Sequence, residues 1–144
     1  MTAFSIKTRQ RRQMIDISEQ VRSLIAQSDM EEGIALVTVL HTTCGIVVND
    51  AGSGWEEDML AFLGRVVPDL DWRHMHGGAE HAKSHILGAL VGPSVVVGVE
   101  GARPVLGRWQ SIFLVELEGP RERQVSVQIL GRSRSTGSTP AVAS

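Results

Sequence analysis

Several features that would identify common protein classes are scarce or missing in this sequence. A single cysteine, Cys44, excludes a disulfide within the chain and any zinc site built from cysteines. No apolar run approaches the roughly 18 residues that are needed to cross a bilayer. The first apolar residues precede the basic ones, which is the reverse of the order in a secretory signal. We therefore expect a cytoplasmic protein that has no membrane partner.

A strong charge of one sign and several familiar catalytic motifs are missing as well. The net charge is -2 and the isoelectric point is about 6.2, so nothing calls for nucleic acid as a partner. Neither a Walker-type phosphate loop nor GxGxxG occurs, which disfavours the nucleotide-binding folds that carry them. The chain also lacks the GxSxG elbow of one class of serine hydrolases and the HExxH pattern of many zinc enzymes.

What is present fits one globular domain. The chain has 144 residues, of which 42% are hydrophobic and 21% charged, and these values are typical of a folded domain. Apolar segments predict strands at 34–40, 94–99, 109–117 and 124–130, and apolar stripes predict helices near 19–28, 55–67 and 81–91. This order favours an α+β fold, with about three helices packed on one mostly antiparallel sheet. We expect a single domain over 1–131 and a flexible polar tail over 132–144.

All five histidines lie in less than a third of the chain, between 41 and 85. Imidazole is the commonest metal ligand in proteins and titrates near neutral pH. His81 and His85 are four residues apart and would share one face of a helix, while His74 and His76 lie in the loop before it. The spacing fits a metal or acid–base site, but it also fits ordinary surface and structural histidines.

The segment His41-Thr42-Thr43-Cys44 directly follows an apolar predicted strand. Two hydroxyl groups beside an imidazole could hold a phosphate or a substrate hydroxyl. The alternative is a β-bulge whose threonines are simply exposed. The lone thiol of Cys44 fits a small packing residue better than a nucleophile.

Further candidates carry acidic, aromatic or basic side chains near strand ends. Asp50 could be a general base, a metal ligand or a turn residue, and Glu116 would need a partner if it faces the core. Trp109 could frame a flat ligand or pack in the core. Arginines in the last two predicted turns could bind phosphate or carboxylate, or remain solvated: Arg103, Arg108, Arg121 and Arg123.

Three separated motifs together resemble one protein family. They are HTTCGIVVND at 41–50, SHILGALVGPS at 84–94 and LGRWQSIFLVELEGPRERQVSVQILG at 106–131. In sequence, order and spacing they are similar to the YjbQ-like family, whose members are often labelled secondary thiamine-phosphate synthase. The resemblance covers about residues 4–131. It implies an α+β fold, a compact homotrimer and a site near the subunit boundary.

The resemblance also implies a function and a set of site residues. It implies a small-molecule enzyme with a histidine-rich site, in which His41, His76 and His85 hold a divalent metal ion, zinc or magnesium. The candidate catalytic residues are His41, Thr42, Asp50 and Glu116, and the candidate substrate-binding residues are Thr43, Ser84, Arg108, Trp109, Gln110 and Arg121. The transfer would join a pyrimidine diphosphate to a thiazole phosphate and expel pyrophosphate. The alternative is a non-catalytic module that binds a metabolite or a metal in the same pocket.

This sequence departs from the family pattern at a few positions. The family typically reads GTWQ where this chain has Arg108 in place of threonine, and an Asn-Gly turn where this chain has Gly101 and Ala102. The family often has Glu at the position of Asp50 and Asn at the position of His81. These changes leave the expected fold intact, alter one turn and add a positive charge near the predicted site. His81 adds a candidate ligand, and the pair of His81 and His85 is the fallback if the first three histidines do not converge.

Overall fold

The structure is a computed structural model that describes residues 2–74 and 76–134. Its strands are β1 (Thr2–Lys7), β2 (Gln13–Asp16), β3 (Met30–Val39), β4 (Cys44–Asp50), β5 (Ser94–Glu100), β6 (Arg103–Val105), β7 (Gln110–Glu116) and β8 (Glu122–Ser133). Its helices are α1 (Ser18–Gln27), α2 (Trp55–Val66) and α3 (Ala79–Val91). In the described part of the chain the fold is therefore α+β with three helices, as the sequence predicts.

The strands form two sheets in which every neighbouring pair is antiparallel. One sheet has the order β1-β8-β3-β5-β6 and the other has the order β2-β7-β4. The sequence predicted one sheet, and the difference arises at residues 40–43. There the chain bends between β3 and β4, so that these consecutive strands join different sheets. The bend carries His41, which places this histidine at the boundary of the two sheets.

The smaller sheet is the middle layer of the molecule. Ile112 and Leu114 of β7 pack in the core with α1 and the larger sheet, while Phe113 and Val115 pack beneath α2 and α3. All four side chains are fully buried. A strand that is covered on both faces needs apolar residues at successive positions, which explains the run IFLV that the sequence shows here. Each such side chain contributes about 1.5–3 kcal/mol by leaving water.

Helix α3 packs against the bend between β3 and β4. At Gly88 a Cβ atom would lie 2.4 Å from the backbone oxygen of Thr42, so only glycine allows this close approach. The helix begins at Ala79, two residues before the predicted start, and Gly92 ends it with a positive φ of 89°. This packing brings the histidines of α3 next to the His41–Thr43 bend.

The C-terminal boundary of the fold lies slightly beyond the predicted one. Strand β8 runs to Ser133 and pairs there with Met30 of β3, so Arg132 and Ser133 belong to the sheet and not to the tail. Arg134 is the last described residue, and the remaining part of the predicted tail, 135–144, lies outside the described residues. Among the residues that are described, no helix is both long and apolar enough to cross a bilayer.

Candidate metal site and the adjoining cavity

Three histidines bring one ring nitrogen each into a small group. His81 and His85 lie one turn apart on α3, and their Nε2 atoms are 3.0 Å apart. His74 joins them from the loop before α3, and the three ligand nitrogens all lie within 4.8 Å of one another. Nitrogens around a tetrahedral zinc ion are about 3.4 Å apart, since each zinc–nitrogen bond is about 2.0–2.1 Å. Side-chain shifts of about 1 Å would therefore suffice to close the group around an ion.

A carboxylate fixes the orientation of one of these rings. Nδ1 of His81 lies 2.5 Å from Oε2 of Glu118, whose side chain is only 10% exposed. When Nδ1–H donates to the carboxylate, Nε2 keeps its lone pair and can bind a cation. A carboxylate that holds the far nitrogen of a ligating histidine is the usual outer partner in zinc sites. Glu118 also accepts a hydrogen bond from Arg121 at 3.0 Å, which holds the carboxylate in place.

The other two histidines lie beside this group. The ring of His76 is 4.3 Å from the ring of His74 and 4.8 Å from that of His81, measured between centroids. His41 accepts a hydrogen bond at Nε2 from the backbone N–H of Gln124, at 3.0 Å. Of the predicted ligands, only His85 belongs to the three-nitrogen group. Metal ligation by His41 and His76 stays a prediction.

Burial and neighbouring groups favour the neutral form of two of the histidines. The pKa of His85 is lowered, first by burial and then by the nearby His81 and His74, although Glu118 acts in the opposite direction. The pKa of His41 is lowered by burial and then by the charge of Arg123. Neutral imidazole is the form that binds a metal or accepts a hydrogen bond.

A buried ion pair lies under the bend. Glu116 is fully buried, and Arg123 donates hydrogen bonds to both of its carboxylate oxygens, from Nε at 3.0 and 3.1 Å and from Nη2 at 2.5 Å. Thr8 donates to the same carboxylate at 2.6 Å. Burial opposes ionisation of Glu116, but the hydrogen bonds from Arg123 and Thr8 and the charge of Arg123 outweigh it and lower the pKa.

The same arginine holds the bend. Nη2 of Arg123 donates to the backbone oxygen of Thr43 at 3.0 Å and to its hydroxyl oxygen at 2.9 Å. Glu116 was predicted to be catalytic, and the structure makes it the buried counterion of Arg123. Thr43 was predicted to bind substrate, and its hydroxyl oxygen accepts from Arg123 while its side chain is buried. Glu116 and Thr43 therefore both contact Arg123, which holds the bend in place.

Two adjoining open cavities lie between the bend and α3. The first has a volume of about 310 Å³ and the second about 290 Å³. The first is lined by Leu40, His41, Thr42, Thr43, His81, His85, Glu118, Arg121 and Arg123. His41, Thr42 and His85 line both cavities. A ligand in this space would lie next to the three-histidine group, and the predicted residues Thr42 and Arg121 would border it.

Ser84 does not border these cavities, contrary to its predicted role in substrate binding. Its side chain is fully buried, and its hydroxyl lies 2.9 Å from the backbone oxygens of Glu80 and Leu117. It faces β7 because it lies one residue before His85 on the helix, on the side that packs inward. Ser84 therefore ties α3 to the end of β7.

Cys44 is buried as well, and burial raises the pKa of its thiol to about 11, which fits the expected packing role.

The remaining predicted residues lie at the opposite end of the smaller sheet. Asp50 pairs with Gln110, whereas Cys44 pairs with Glu116, and the six residue steps from Cys44 to Asp50 span about 20 Å. Trp109 is 69% exposed and is not a core residue, and the guanidinium of Arg108 lies 4.8 Å from the centre of its ring. Within one chain, the structure does not bring this group to the histidines.

Three residues of the site are missing from the predicted catalytic, substrate-binding and metal-binding residues: His74, Glu118 and Arg123. His74 lies in the same loop as His76, but a loop has no period from which a direction could be derived. Glu118 lies two residues after Glu116, so strand alternation would have placed both on one side of the chain. Its partner His81 is distant in sequence, and the sequence alone does not indicate that pairing.

The fold and the site together define an α+β protein with antiparallel sheets and a histidine cluster at the start of its third helix. The sequence profile of the family described as UPF0047 protein YjbQ-like matches residues 2–132. The chain belongs to this family. A UPF0047 protein of Methanocaldococcus jannaschii is 36% identical over 130 residues, which cover 89% of this chain and 92% of that protein. The UPF0047 protein YugU of Bacillus subtilis is 36% identical over 135 residues, which cover 91% of this chain and 99% of YugU.

Solved structures show the same fold. A YbjQ-like protein of unknown function from Sulfolobus solfataricus has a TM-score of 0.85 at 34% identity, covering 91% of this chain and 96% of that one. A protein of the YjbQ/UPF0047 family from Clostridium acetobutylicum has a TM-score of 0.83 at 35% identity, covering 90% of this chain and 100% of that one. These likenesses establish the fold and the family, and they assign no activity.

Proposed function

We propose that this protein is a metal-dependent enzyme that acts on a small phosphorylated molecule, with one divalent ion held by His74, His81 and His85. The observation that supports the proposal most is the group of three ring nitrogens within 4.8 Å, with Glu118 orienting one ring. A divalent ion in such a site acidifies a bound water and offsets negative charge on a substrate. The cavity beside the histidines gives a substrate direct access to the site.

The chemistry of the donors favours zinc over magnesium. Magnesium prefers oxygen ligands in an octahedral arrangement, whereas imidazole nitrogens suit zinc and its neighbours in the transition series. Three protein ligands leave a fourth position of a tetrahedral site open, which is the pattern of catalytic zinc sites. Glu118 is not counted as a ligand, because its carboxylate is engaged by His81 and Arg121.

The specific reaction that we propose is transfer of the thiamine-phosphate synthase type. This reaction expels pyrophosphate from a pyrimidine diphosphate, so the site must offset the growing negative charge on the leaving group. Arg121 borders the cavity and can contribute to this, because it has five N–H donors and only two bind Glu118. Arg123 is less available than Arg121, because it is buried and its guanidinium donates to Glu116 and Thr43.

The assay is formation of thiamine phosphate from the pyrimidine diphosphate and the thiazole phosphate, with chelated protein and with protein that is reloaded with zinc. We expect product with the zinc-loaded protein and a loss of about 10- to 100-fold in Glu118→Gln, because its loss frees the ring of His81. Glu100→Gln, at an exposed strand end, is the matched control and should leave the rate unchanged. Equal product with and without zinc, or no product at all, would contradict this reaction.

A homotrimer in the cytoplasm is also part of the proposal. Four exposed apolar residues lie on the outer face of the larger sheet: Ile34 at 45%, Val96 at 58%, Val105 at 53% and Leu130 at 70% exposure. Ile34 pairs directly with Leu130, and the strand pairing places the other two on the same face. A continuous apolar patch of this kind is typical of an interface between subunits.

A further inference from the structure

We infer that His41 is a neutral hydrogen-bond donor for a phosphate group in the cavity and is not a ligand of the neighbouring metal ion. This inference builds on the proposed function, because it assigns the part of the substrate that binds beside the ion. The residue was predicted as a metal ligand. The hydrogen bond that Nε2 of His41 accepts from Gln124 indicates that the ring donates to a ligand instead.

The first step is the protonation pattern of the ring. The backbone N–H of Gln124 donates to Nε2 of His41 at 3.0 Å. A ring nitrogen that accepts a hydrogen bond carries a lone pair and no proton, so the single proton of the neutral ring lies on Nδ1. Nε2 is then engaged by the backbone and Nδ1 is protonated. In this state the ring has no lone pair left for a metal ion.

The second step concerns what the ring offers to a ligand. His41 lines both cavities between the bend and α3. Because Nε2 is engaged by β8, the N–H at Nδ1 is the polar group that remains for a ligand in that space. The donor is fixed in its tautomer, since the strand that holds Nε2 is part of the sheet. A fixed donor recognises an acceptor oxygen, and phosphate and its esters present several.

The third step is the character of the other groups around the cavity. Thr42 is exposed and lines both cavities, so its hydroxyl is a second donor. Arg121 lines the first cavity and has three N–H donors beyond the two that bind Glu118. An imidazole N–H, a hydroxyl and a guanidinium form the kind of donor set that binds the oxygens of a phosphate group. The volume of about 310 Å³ suits a small molecule.

The test separates ligation of the metal from binding of the anion. Zinc and inorganic phosphate are titrated separately into the chelated, untagged protein and followed by calorimetry, with glycerol phosphate as a second anion. His41→Phe removes the donor, and His41→Asn keeps an amide N–H near the position of Nδ1. We expect zinc affinity to stay within about twofold in both variants, because His41 supplies no lone pair. Phosphate affinity should fall about tenfold or more in His41→Phe and much less in His41→Asn.

Two results of these titrations would overturn the inference. Zinc affinity that falls about tenfold or more in both variants would make His41 a ligand. Phosphate affinity that is unchanged in His41→Phe would remove the donor role. If the wild-type protein binds phosphate through His41 but binds no zinc, the proposed metal-dependent function fails and this inference stands. If glycerol phosphate binds as tightly as inorganic phosphate, the natural ligand is a phosphate ester. If only inorganic phosphate binds, the ligand is the free ion. Both results support the phosphate site.

A second measurement needs no substitution and so does not depend on how a variant folds. Long-range proton–nitrogen correlation spectra of the wild-type protein report which nitrogen of each histidine ring carries the proton. We expect His41 to carry it on Nδ1, both before and after zinc is added, while the resonances of His81 and His85 shift with zinc. A proton on Nε2 of His41, or zinc-induced shifts of its nitrogens as large as those of His81, would overturn the inference.

Discussion

At the scale of single residues, the buried pair of Glu116 and Arg123 holds the floor of the cavity. The pair ties the end of β7 to β8 and, through Thr43, to the bend that carries His41. Breaking such a pair leaves one buried charge without a partner, which costs far more than the pair itself contributes. The cavity therefore depends on Glu116, which is buried and does not line it.

Replacing Glu116 with Gln should destabilise the protein by about 3–5 kcal/mol near neutral pH, because Arg123 stays buried without its counterion. The folded state lowers the pKa of Glu116, so its contribution is fully present above the pKa of the unfolded chain. The contribution is lost as the pH falls through the lower pKa of the folded state. Urea unfolding of both proteins across the acidic range should show the difference between them shrinking as the pH falls.

The exposed Glu122→Gln variant is the control for this measurement and should unfold like the wild-type protein. A difference between wild type and Glu116→Gln that stays constant or grows towards acidic pH would contradict the account, since the carboxylate would then not be the stabilising form.

At the scale of the elements, the contact between α3 and the β3–β4 bend positions the site. Gly88 lets the helix approach the backbone oxygen of Thr42, and the same helix carries His81 and His85. The motif SHILGALVGPS in the sequence thus contains both the ligands and the glycine that brings them to the bend.

Replacing Gly88 with Ala should destabilise the protein by about 1–3 kcal/mol, because the new Cβ would lie 2.4 Å from the backbone oxygen of Thr42. This loss opposes a gain of up to about 1 kcal/mol from the better helix propensity of Ala. Gly64→Ala in α2 is the matched control, since its Cβ would meet nothing closer than the Arg12 side chain at 3.5 Å. Thermal unfolding should move in opposite directions for the two variants, and a stabilised Gly88→Ala would contradict the packing described here.

Most elements could be predicted from local patterns. Helix α2 begins at Trp55 as expected, with three acidic residues in its first turn, where the helix dipole favours them. Strands β2 and β6 were missed, because they have only four and three residues, and β6 includes Pro104. The division into two sheets was also missed, because it depends on which strands pair across the chain. Local periodicity does not carry that information.

In the site too, local spacing predicted some features, whereas features that depend on long-range contacts were not predicted. The spacing of His81 and His85 predicted that they share one face of a helix, and they do. The partnership of His81 with Glu118 depends on how α3 lies along the end of β7, which spacing does not give. Asp50 and Gln110 were grouped with the histidines by motif, but the antiparallel register of β4 and β7 places them at the far end.

At the scale of the whole molecule, the apolar outer face of the larger sheet predicts association. Leu130→Glu should convert the proposed trimer to a monomer, because a carboxylate cannot be buried in an apolar interface without a partner. Leu70→Glu is the control, since Leu70 is also exposed, at 60%, but follows α2 on another surface. Sedimentation equilibrium should give three chains for the wild type and for Leu70→Glu. A monomeric wild-type protein would contradict the assembly.

The central claim is the position of the metal ion, and anomalous diffraction at the zinc edge tests it most directly. Crystals of the untagged protein with one equivalent of zinc should show one anomalous peak bonded to His74, His81 and His85 at about 2.0–2.1 Å. Glu118 should keep its contact with Nδ1 of His81 in that structure. A peak bonded to His41, His76 and His85 instead, or no peak at any histidine, would contradict the account.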